Sequence, residues 1–80
     1  MLVNIISLTQ IIYRGEADSL NAPGVMGRLT ILPNHSPLIT LLKKGKLTLR
    51  RNDKESFFQI EKAILEVNPK EVNVLVSETQ

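Results

Sequence analysis

Apolar and polar residues alternate along most of this chain, and a period of two is typical of a β-strand with one buried face. The alternation is clearest in Lys46-Leu47-Thr48-Leu49-Arg50, where both leucines fall on one side. No window keeps the i, i+3, i+4, i+7 spacing of an amphipathic helix, so the chain is predicted to be all-β. The predicted inward positions are Leu47, Leu49, Phe58, Ile60, Ala63, Leu65, Val67, Val72, Val74 and Val76.

Turn residues divide the alternating segments at short intervals. Ala22-Pro23-Gly24 is predicted to form a turn, Asn52-Asp53 a hairpin tip, and Asn68-Pro69-Lys70-Glu71 a turn with proline at its second position. These boundaries define seven to ten short strands, too many for one flat sheet with a buried face in 80 residues. We expect residues 1–80 to form a single domain, a small two-layer β-sandwich or flattened barrel.

Several large apolar residues fall on the outward side of the predicted strands or in turns. Single exposed apolar residues are ordinary, whereas a group that merges into one patch marks a surface for a partner. The pattern alone leaves both interpretations open. The residues concerned are Val25, Met26, Leu32, Phe57, Ile64 and Leu75.

The sequence shows none of the familiar residue spacings of a catalytic or metal site. It contains no cysteine and one histidine, His35, so no thiol can pair with an imidazole as nucleophile and base. Glu16-Ala17-Asp18 is an isolated acid pair without metal-ligand spacing. Gly24-Val25-Met26-Gly27 precedes a predicted strand, whereas a phosphate-binding loop precedes a helix. We expect no catalytic residue, no metal site, no cofactor and no small-molecule ligand.

Basic residues cluster between Lys43 and Arg51, although the net charge is only +2. Exposed lysines protect the edge of a sheet against aggregation, and the same charges suit docking to an acidic partner. The alternative function is a small β-barrel module that binds nucleic acid through this segment. Such modules normally stack bases on aromatic side chains, and this chain has only Tyr13, Phe57 and Phe58. We therefore expect no nucleic-acid partner.

The opening segment from Met1 to Leu8 is apolar but lacks the basic region and the small-residue cleavage site of a signal peptide. It is predicted to be a strand. No stretch approaches the roughly 20 apolar residues that cross a bilayer. Any membrane association is expected to run through a protein partner.

The segment from Asn21 to Gly45 reads NAPGVMGRLTILPNHSPLITLLKKG. It resembles, without a gap, the signature of F-type ATP synthase epsilon subunits, which is approximately APGxxGxLGILPGHAPLLTxLKPG. The resemblance extends back to residues 11–18 and forward to residues 64–69 and 72–75. It implies the β-sandwich of that family, which a two-helix domain follows in relatives. This chain stops at Gln80, about where that helical domain would begin.

The resemblance implies a non-catalytic subunit in the central stalk of an F-type ATP synthase. Such a subunit holds the gamma subunit, rests on the c-ring, and couples proton translocation to ATP synthesis or hydrolysis at a catalytic site in other subunits. The implied location is peripheral, at the cytoplasmic face of the bacterial inner membrane or the equivalent plastid membrane. Contact with the membrane would come only through the complex.

The same resemblance implies two contact regions. Ser7, His35 and Thr40 match family positions that face the gamma subunit, and we extend this group to Leu38 and Leu42. For His35, the other interpretation is a turn histidine that supports the neighbouring prolines through hydrogen bonds.

The turn from Met26 to Leu29, which includes Gly27 and Arg28, matches the loop that meets the c-ring. Arg28 stands where many members carry glutamate, which would reverse the electrostatics of that contact. Asn34 replaces the usual glycine, an exchange that a left-handed turn position tolerates.

Overall fold

The computed structural model describes residues 1–77 and shows an all-β chain, with nine strands and no helix in that range. This part of the chain contains no helix that could span a lipid bilayer. The all-β prediction is confirmed. The strands are β1 (Leu2–Ile6), β2 (Ile11–Glu16), β3 (Ser19–Gly24), β4 (Gly27–Ile31), β5 (Leu38–Leu42), β6 (Gly45–Arg51), β7 (Lys54–Ile60), β8 (Ala63–Val67) and β9 (Glu71–Val76).

The strands form one continuous sheet in the order β2-β1-β9-β8-β5-β3-β6-β7, and β4 pairs with β3 beside this path. β1 pairs with β9 in parallel, and the other pairs are antiparallel. The sheet curls over, so that its two end strands approach each other. The rings of Tyr13 in β2 and Phe58 in β7 lie 5.4 Å apart between centroids. One curled sheet thus supplies both layers of the predicted β-sandwich.

The inner side of the curled sheet holds the core. Its largest fully buried side chains come from seven of the nine strands, since each strand contributes alternate residues. Of the predicted inward positions, eight are buried, and Phe58 and Val76 are partly buried against the core. The predicted inward rows are therefore confirmed. The largest fully buried side chains are Val3, Ile5, Leu20, Ile31, Leu42, Leu47, Leu65 and Val74.

Two of the three predicted turns lie where they were expected. Asn52 and Asp53 connect β6 to β7 with φ angles of 51° and 65°, a left-handed pair that matches the twist of a tight hairpin. Asn68 follows β8, and its Oδ1 accepts hydrogen bonds from the backbone N–H groups of Lys70 and Glu71, each over 2.9 Å. This side chain closes the turn into β9.

The prediction of a turn at Ala22-Pro23-Gly24 is wrong. These residues lie in β3, and the chain turns at the next two residues, Val25 and Met26. Pro23 lies opposite Arg28 in the strand pair, and its carbonyl oxygen accepts a hydrogen bond from Lys43 N over 2.8 Å. A strand tolerates proline where its missing N–H is not needed.

Glycines allow the β3–β4 turn to be this tight. A Cβ on Gly24 would lie 2.6 Å from the carbonyl oxygen of Gly27, which no side chain can accept. Gly27 itself has a φ of 125°, outside the range that other residues adopt readily.

Asn34 has a φ of 68°, which confirms the prediction that its position is left-handed.

Candidate functional site

The outer side of the sheet carries a row of apolar residues across four adjacent strands. Leu41 of β5 faces Ile64 of β8, Ile64 faces Leu75 of β9, and Leu75 faces Ile6 of β1. Leu41, Ile64 and Leu75 remain 56%, 42% and 40% exposed. We call these four residues the apolar row. The row lies on the side of the sheet away from the core, and Ile6 at its end is half-buried.

A line of polar side chains runs beside the apolar row, and we call it the polar ladder. Asn73 Nδ2 donates to Glu66 Oε1 over 3.0 Å, and Asn4 Nδ2 donates to Asn73 Oδ1 over 2.8 Å. Arg14 Nη1 in turn donates to Asn4 Oδ1 over 2.9 Å. Each member therefore bonds to a side chain on the neighbouring strand. The ladder joins β8, β9, β1 and β2 on the outer side, which stiffens the surface that the apolar row occupies.

The apolar residues predicted to point outward all do so, and this prediction is confirmed. Val25, Ile64 and Leu75 line one open pocket together, so that part of the group forms a patch. Phe57 lies elsewhere, with the Lys46 ammonium 4.5 Å from its ring centroid. Leu32 lines a different, more polar cavity. The patch interpretation therefore holds for Val25, Ile64 and Leu75, whereas Leu32 and Phe57 lie apart from them.

Sequence reasoning missed two exposed residues of β5. Ile39 and Leu41 are 73% and 56% exposed. The strand reads Leu-Ile-Thr-Leu-Leu, and successive side chains in a strand point to opposite faces. Knowing one inward residue of β5 would therefore have identified Ile39 and Leu41 as outward. Because four of its five residues are apolar, the pattern alone does not tell which side faces the core.

The residues expected at the gamma subunit do not share one surface. Ser7 is half-buried just after β1, at the end of the sheet where Ile6 faces Leu75. His35 is exposed in the loop before β5, at the opposite end, and its Nδ1–H donates to Ser36 O over 2.7 Å. The length of a short strand, roughly 15 Å, separates the two ends. A partner that touches both must extend along the whole strand.

The remaining three expected residues lie in β5 and point toward the core. Leu38 and Thr40 are half-buried, whereas Leu42 is only 2% exposed. The expectation that the Leu42 side chain meets a partner conflicts with this burial, because its side chain is already enclosed by the core. Ile39 and Leu41 offer the outward contacts on the same strand.

The residues expected at the c-ring lie in the β3–β4 turn and the start of β4. Met26 is 94% exposed, while Gly27, Arg28 and Leu29 belong to β4 rather than to the predicted turn. Arg28 lies across the sheet: its Nε donates to Asn21 Oδ1 over 2.6 Å, and its Nη2 donates to the Lys46 carbonyl oxygen over 2.9 Å. Leu29 is half-buried against the core. Met26 is therefore the residue of this group most available to a partner.

The basic segment from Lys43 to Arg51 does not form one continuous surface. Lys43 and Lys44 border the pocket at Val25, whereas Arg50 pairs with Glu55 over 2.7 Å on β6 and β7. Phe58 is half-buried against Tyr13 and cannot stack on a base from that position. Phe57 is the one aromatic ring that is exposed within residues 1–77, and a single ring beside Lys46 is a small platform for stacking bases.

Within residues 1–77, no three histidine or acidic residues lie close enough together to hold a metal ion. Every buried side-chain nitrogen and oxygen in the same range has a hydrogen-bond partner. The outer side of the sheet, with its apolar row and polar ladder, is thus the candidate functional site. Its chemistry suits contact with another protein.

The family described as the ATP synthase, Delta/Epsilon chain, beta-sandwich domain matches residues 1–80. The ATP synthase epsilon chain of Nitrosococcus oceani is 42% identical over 81 residues, which cover 100% of this chain and 58% of that relative. The corresponding chain of Xanthomonas campestris pv. campestris is 47% identical over 74 residues, which cover 91% of this chain and 53% of that relative. The chain thus spans little more than half the length of these curated relatives.

Two solved structures share the fold at low sequence identity. One is a chain in the structure of the OSCP, F1 and c-ring of the Euglena gracilis mitochondrial ATP synthase. It aligns with a TM-score of 0.88 and 16% sequence identity, and the alignment covers 95% of this chain and 49% of the Euglena chain. A chain in the central stalk and c-ring structure of the Tetrahymena thermophila mitochondrial ATP synthase aligns with a TM-score of 0.81 and 13% identity, covering 96% of this chain and 63% of its own length. The likeness confirms the fold, and the sequence match shows that the chain belongs to the family of the β-sandwich domain of ATP synthase delta and epsilon chains.

Proposed function

We propose that this domain is a non-catalytic part of the rotor of an F-type ATP synthase. It binds the gamma subunit and the c-ring, and so couples proton translocation to ATP synthesis or hydrolysis in other subunits. The observation that carries the proposal is the apolar row, which lies exposed on the side of the sheet away from the core. A companion protein that covers it removes this apolar surface from water, which favours association.

The gamma subunit is proposed to lie on the outer side of the sheet. Ile39 and Leu41 of β5 provide apolar contacts, and Ser7 and His35 mark the two ends of the area. Leu38 and Thr40 support this strand from the inner side. Leu42 is left out of the contact because its side chain belongs to the core.

The c-ring is proposed to meet the β3–β4 turn, chiefly through Met26, with Gly27, Arg28 and Leu29 behind it. Arg28 donates two hydrogen bonds within the domain, so its charge is held in place rather than free to swing away. A c-ring loop that suits this domain therefore carries carboxylates toward Arg28.

The proposed mechanism is mechanical. Torque that passes from the ring to the stalk is lost if the joint deforms, so the domain between them must be stiff. A close-packed core and the polar ladder together provide that stiffness. The domain would be peripheral, held by the complex at the cytoplasmic face of the bacterial inner membrane or the equivalent plastid membrane. It needs no cofactor, metal or small-molecule ligand for this role.

A binding titration with the purified cognate gamma subunit tests the proposal. We expect a one-to-one complex that Leu41→Asp weakens strongly, because the substitution places a charge in the apolar row. Lys54→Asp changes an exposed residue at the β6–β7 hairpin and serves as the control. Failure of the wild-type protein to bind gamma at any salt concentration would refute the proposal. A gel-shift titration with a single-stranded oligonucleotide, for which no binding is expected, examines the alternative function.

A further inference from the structure

An open apolar pocket of about 570 Å³ lies where the apolar row meets the β3–β4 turn. We call its exposed apolar lining residues, Val25, Leu41, Ile64 and Leu75, the floor, and all four are at least 40% exposed. Val25 N donates to the Leu41 carbonyl oxygen over 3.1 Å, which holds the turn against β5. The pocket is thus a shaped extension of the apolar row and is built by four separate elements.

Lysines border this pocket. Lys43, Lys44 and Lys62 line it, whereas Glu61 is the one acidic residue among its described lining residues. The ion pairs found within residues 1–77 involve none of these three ammonium groups. The backbone at the rim is fixed, since Lys62 O accepts a hydrogen bond from Ser77 N over 3.1 Å. The rim, formed by Lys43, Lys44 and Lys62, therefore carries an excess of positive charge.

This combination restricts the chemistry of whatever covers the pocket. A purely apolar partner would remove water from three ammonium groups without giving them a counter-charge, which is costly. A segment with apolar anchors flanked by carboxylates fills the floor and pairs with the rim. We propose that the gamma-subunit segment that covers this pocket has that composition. This inference rests on the proposed function and defines its contact more narrowly.

A polypeptide fits this surface better than a small amphiphile because the pocket is continuous with the apolar row. Leu41, Ile64 and Leu75 belong to both, so a single occupant covers the pocket and the row together. Ser77 lines the pocket too, and a segment that follows residue 80 in a longer form of the protein is a competing occupant. The experiment must separate these two occupants.

Zero-length carbodiimide crosslinking identifies the occupant, since it joins an ammonium group to a carboxylate in direct contact. The full-length native protein is mixed with its purified gamma subunit, treated with the reagent and analysed by peptide mass spectrometry. We expect crosslinks from Lys43, Lys44 or Lys62 to carboxylates of one gamma segment that also contains large apolar residues. Crosslinks from these lysines only to the protein's own later residues, or none to gamma, would overturn the inference.

Charge reversal measures the contribution of the rim. We expect the double variant Lys43→Glu with Lys62→Glu to bind gamma roughly tenfold or more weakly at low salt, with a difference that shrinks as salt rises. The matched control, Arg51→Glu with Lys54→Glu, makes the same change in net charge at the β6–β7 hairpin and should lose far less. Replacing Lys43 and Lys62 by arginine keeps the charge and should keep the affinity.

The outcomes distinguish the two proposals. If wild-type protein does not bind gamma, the proposed function fails and this inference fails with it. If wild-type protein binds but the pocket variant and the hairpin variant lose affinity equally, only the inference about the pocket fails. Circular dichroism of each variant establishes that a loss of binding does not reflect unfolding.

Discussion

Asn4 in β1 donates a hydrogen bond from Nδ2 to Oδ1 of Asn73 in β9, over 2.8 Å, across the one parallel strand pair found in residues 1–77. The same Nδ2 donates to Glu71 Oε1 over 3.0 Å, and Asn4 Oδ1 accepts from Arg14. Asn4 is only 5% exposed, although it points to the outer side of the sheet. Its amide thus ties the first strand of the chain to the last described strand.

Removing this amide should destabilise the domain. Asn4→Ala leaves Asn73, Glu71 and Arg14 without their shared partner, and we expect the free energy of unfolding to fall by about 1–3 kcal/mol. Urea unfolding followed by circular dichroism measures the change. Gln59→Ala, which removes an exposed amide from β7, should alter the free energy by less than about 0.5 kcal/mol. Equal losses in the two variants would contradict a special role for Asn4.

Gly27 should resist substitution because of its backbone and not because of crowding. Its φ is 125°, yet a Cβ placed there would meet no heavy atom within 4 Å. We expect Gly27→Ala to cost about 1–3 kcal/mol through backbone strain alone. Asn34→Gly, at a φ of 68°, provides the contrast and should leave thermal stability nearly unchanged. Both are measured by thermal unfolding, and an unaffected Gly27→Ala protein would show that the turn relaxes.

Leu41 and Leu42 are neighbours in sequence, but we expect substitution of Leu41 to weaken binding and substitution of Leu42 to lower stability. Leu42 is 2% exposed and lies in the core, so Leu42→Ala should lower the free energy of unfolding by about 2–5 kcal/mol. Leu41 is 56% exposed, so Leu41→Ala should change stability by less than about 0.5 kcal/mol. It should instead weaken binding to gamma by roughly tenfold. Denaturation and binding titration on the same preparations provide the comparison, and a stable, weakly binding Leu42→Ala protein would reverse the assignment.

Local patterns in the sequence determined most of the strands and their inward rows. Leu47 and Leu49 alternate with polar residues and are both buried, as the period of two predicts. Asn52-Asp53 and Asn68 also occur where the backbone turns. Each of these features depends on neighbouring residues, and the conformation of a strand or a tight turn is decided over a few residues.

Neighbouring residues in the sequence do not determine the position of the β3–β4 turn or which face of β5 is buried. Pro23 usually marks a turn, but here its carbonyl oxygen bonds to Lys43, a partner that the chain supplies only after folding back. In β5, apolar residues on both sides left the inward face undecided until β8 paired with it. That pairing buries Leu42 and exposes Leu41.

Alternation along the chain is enough to predict strands with an apolar inner face, and the segment from Asn21 to Gly45 is enough to identify the family. Which outward residues become neighbours depends instead on how the strands pair in the folded domain. Leu41, Ile64, Leu75 and Ile6 form one row because the register of three strand pairs aligns them. Register is set by contacts between segments far apart in the chain, and a shift of one residue would move every side chain to the opposite face.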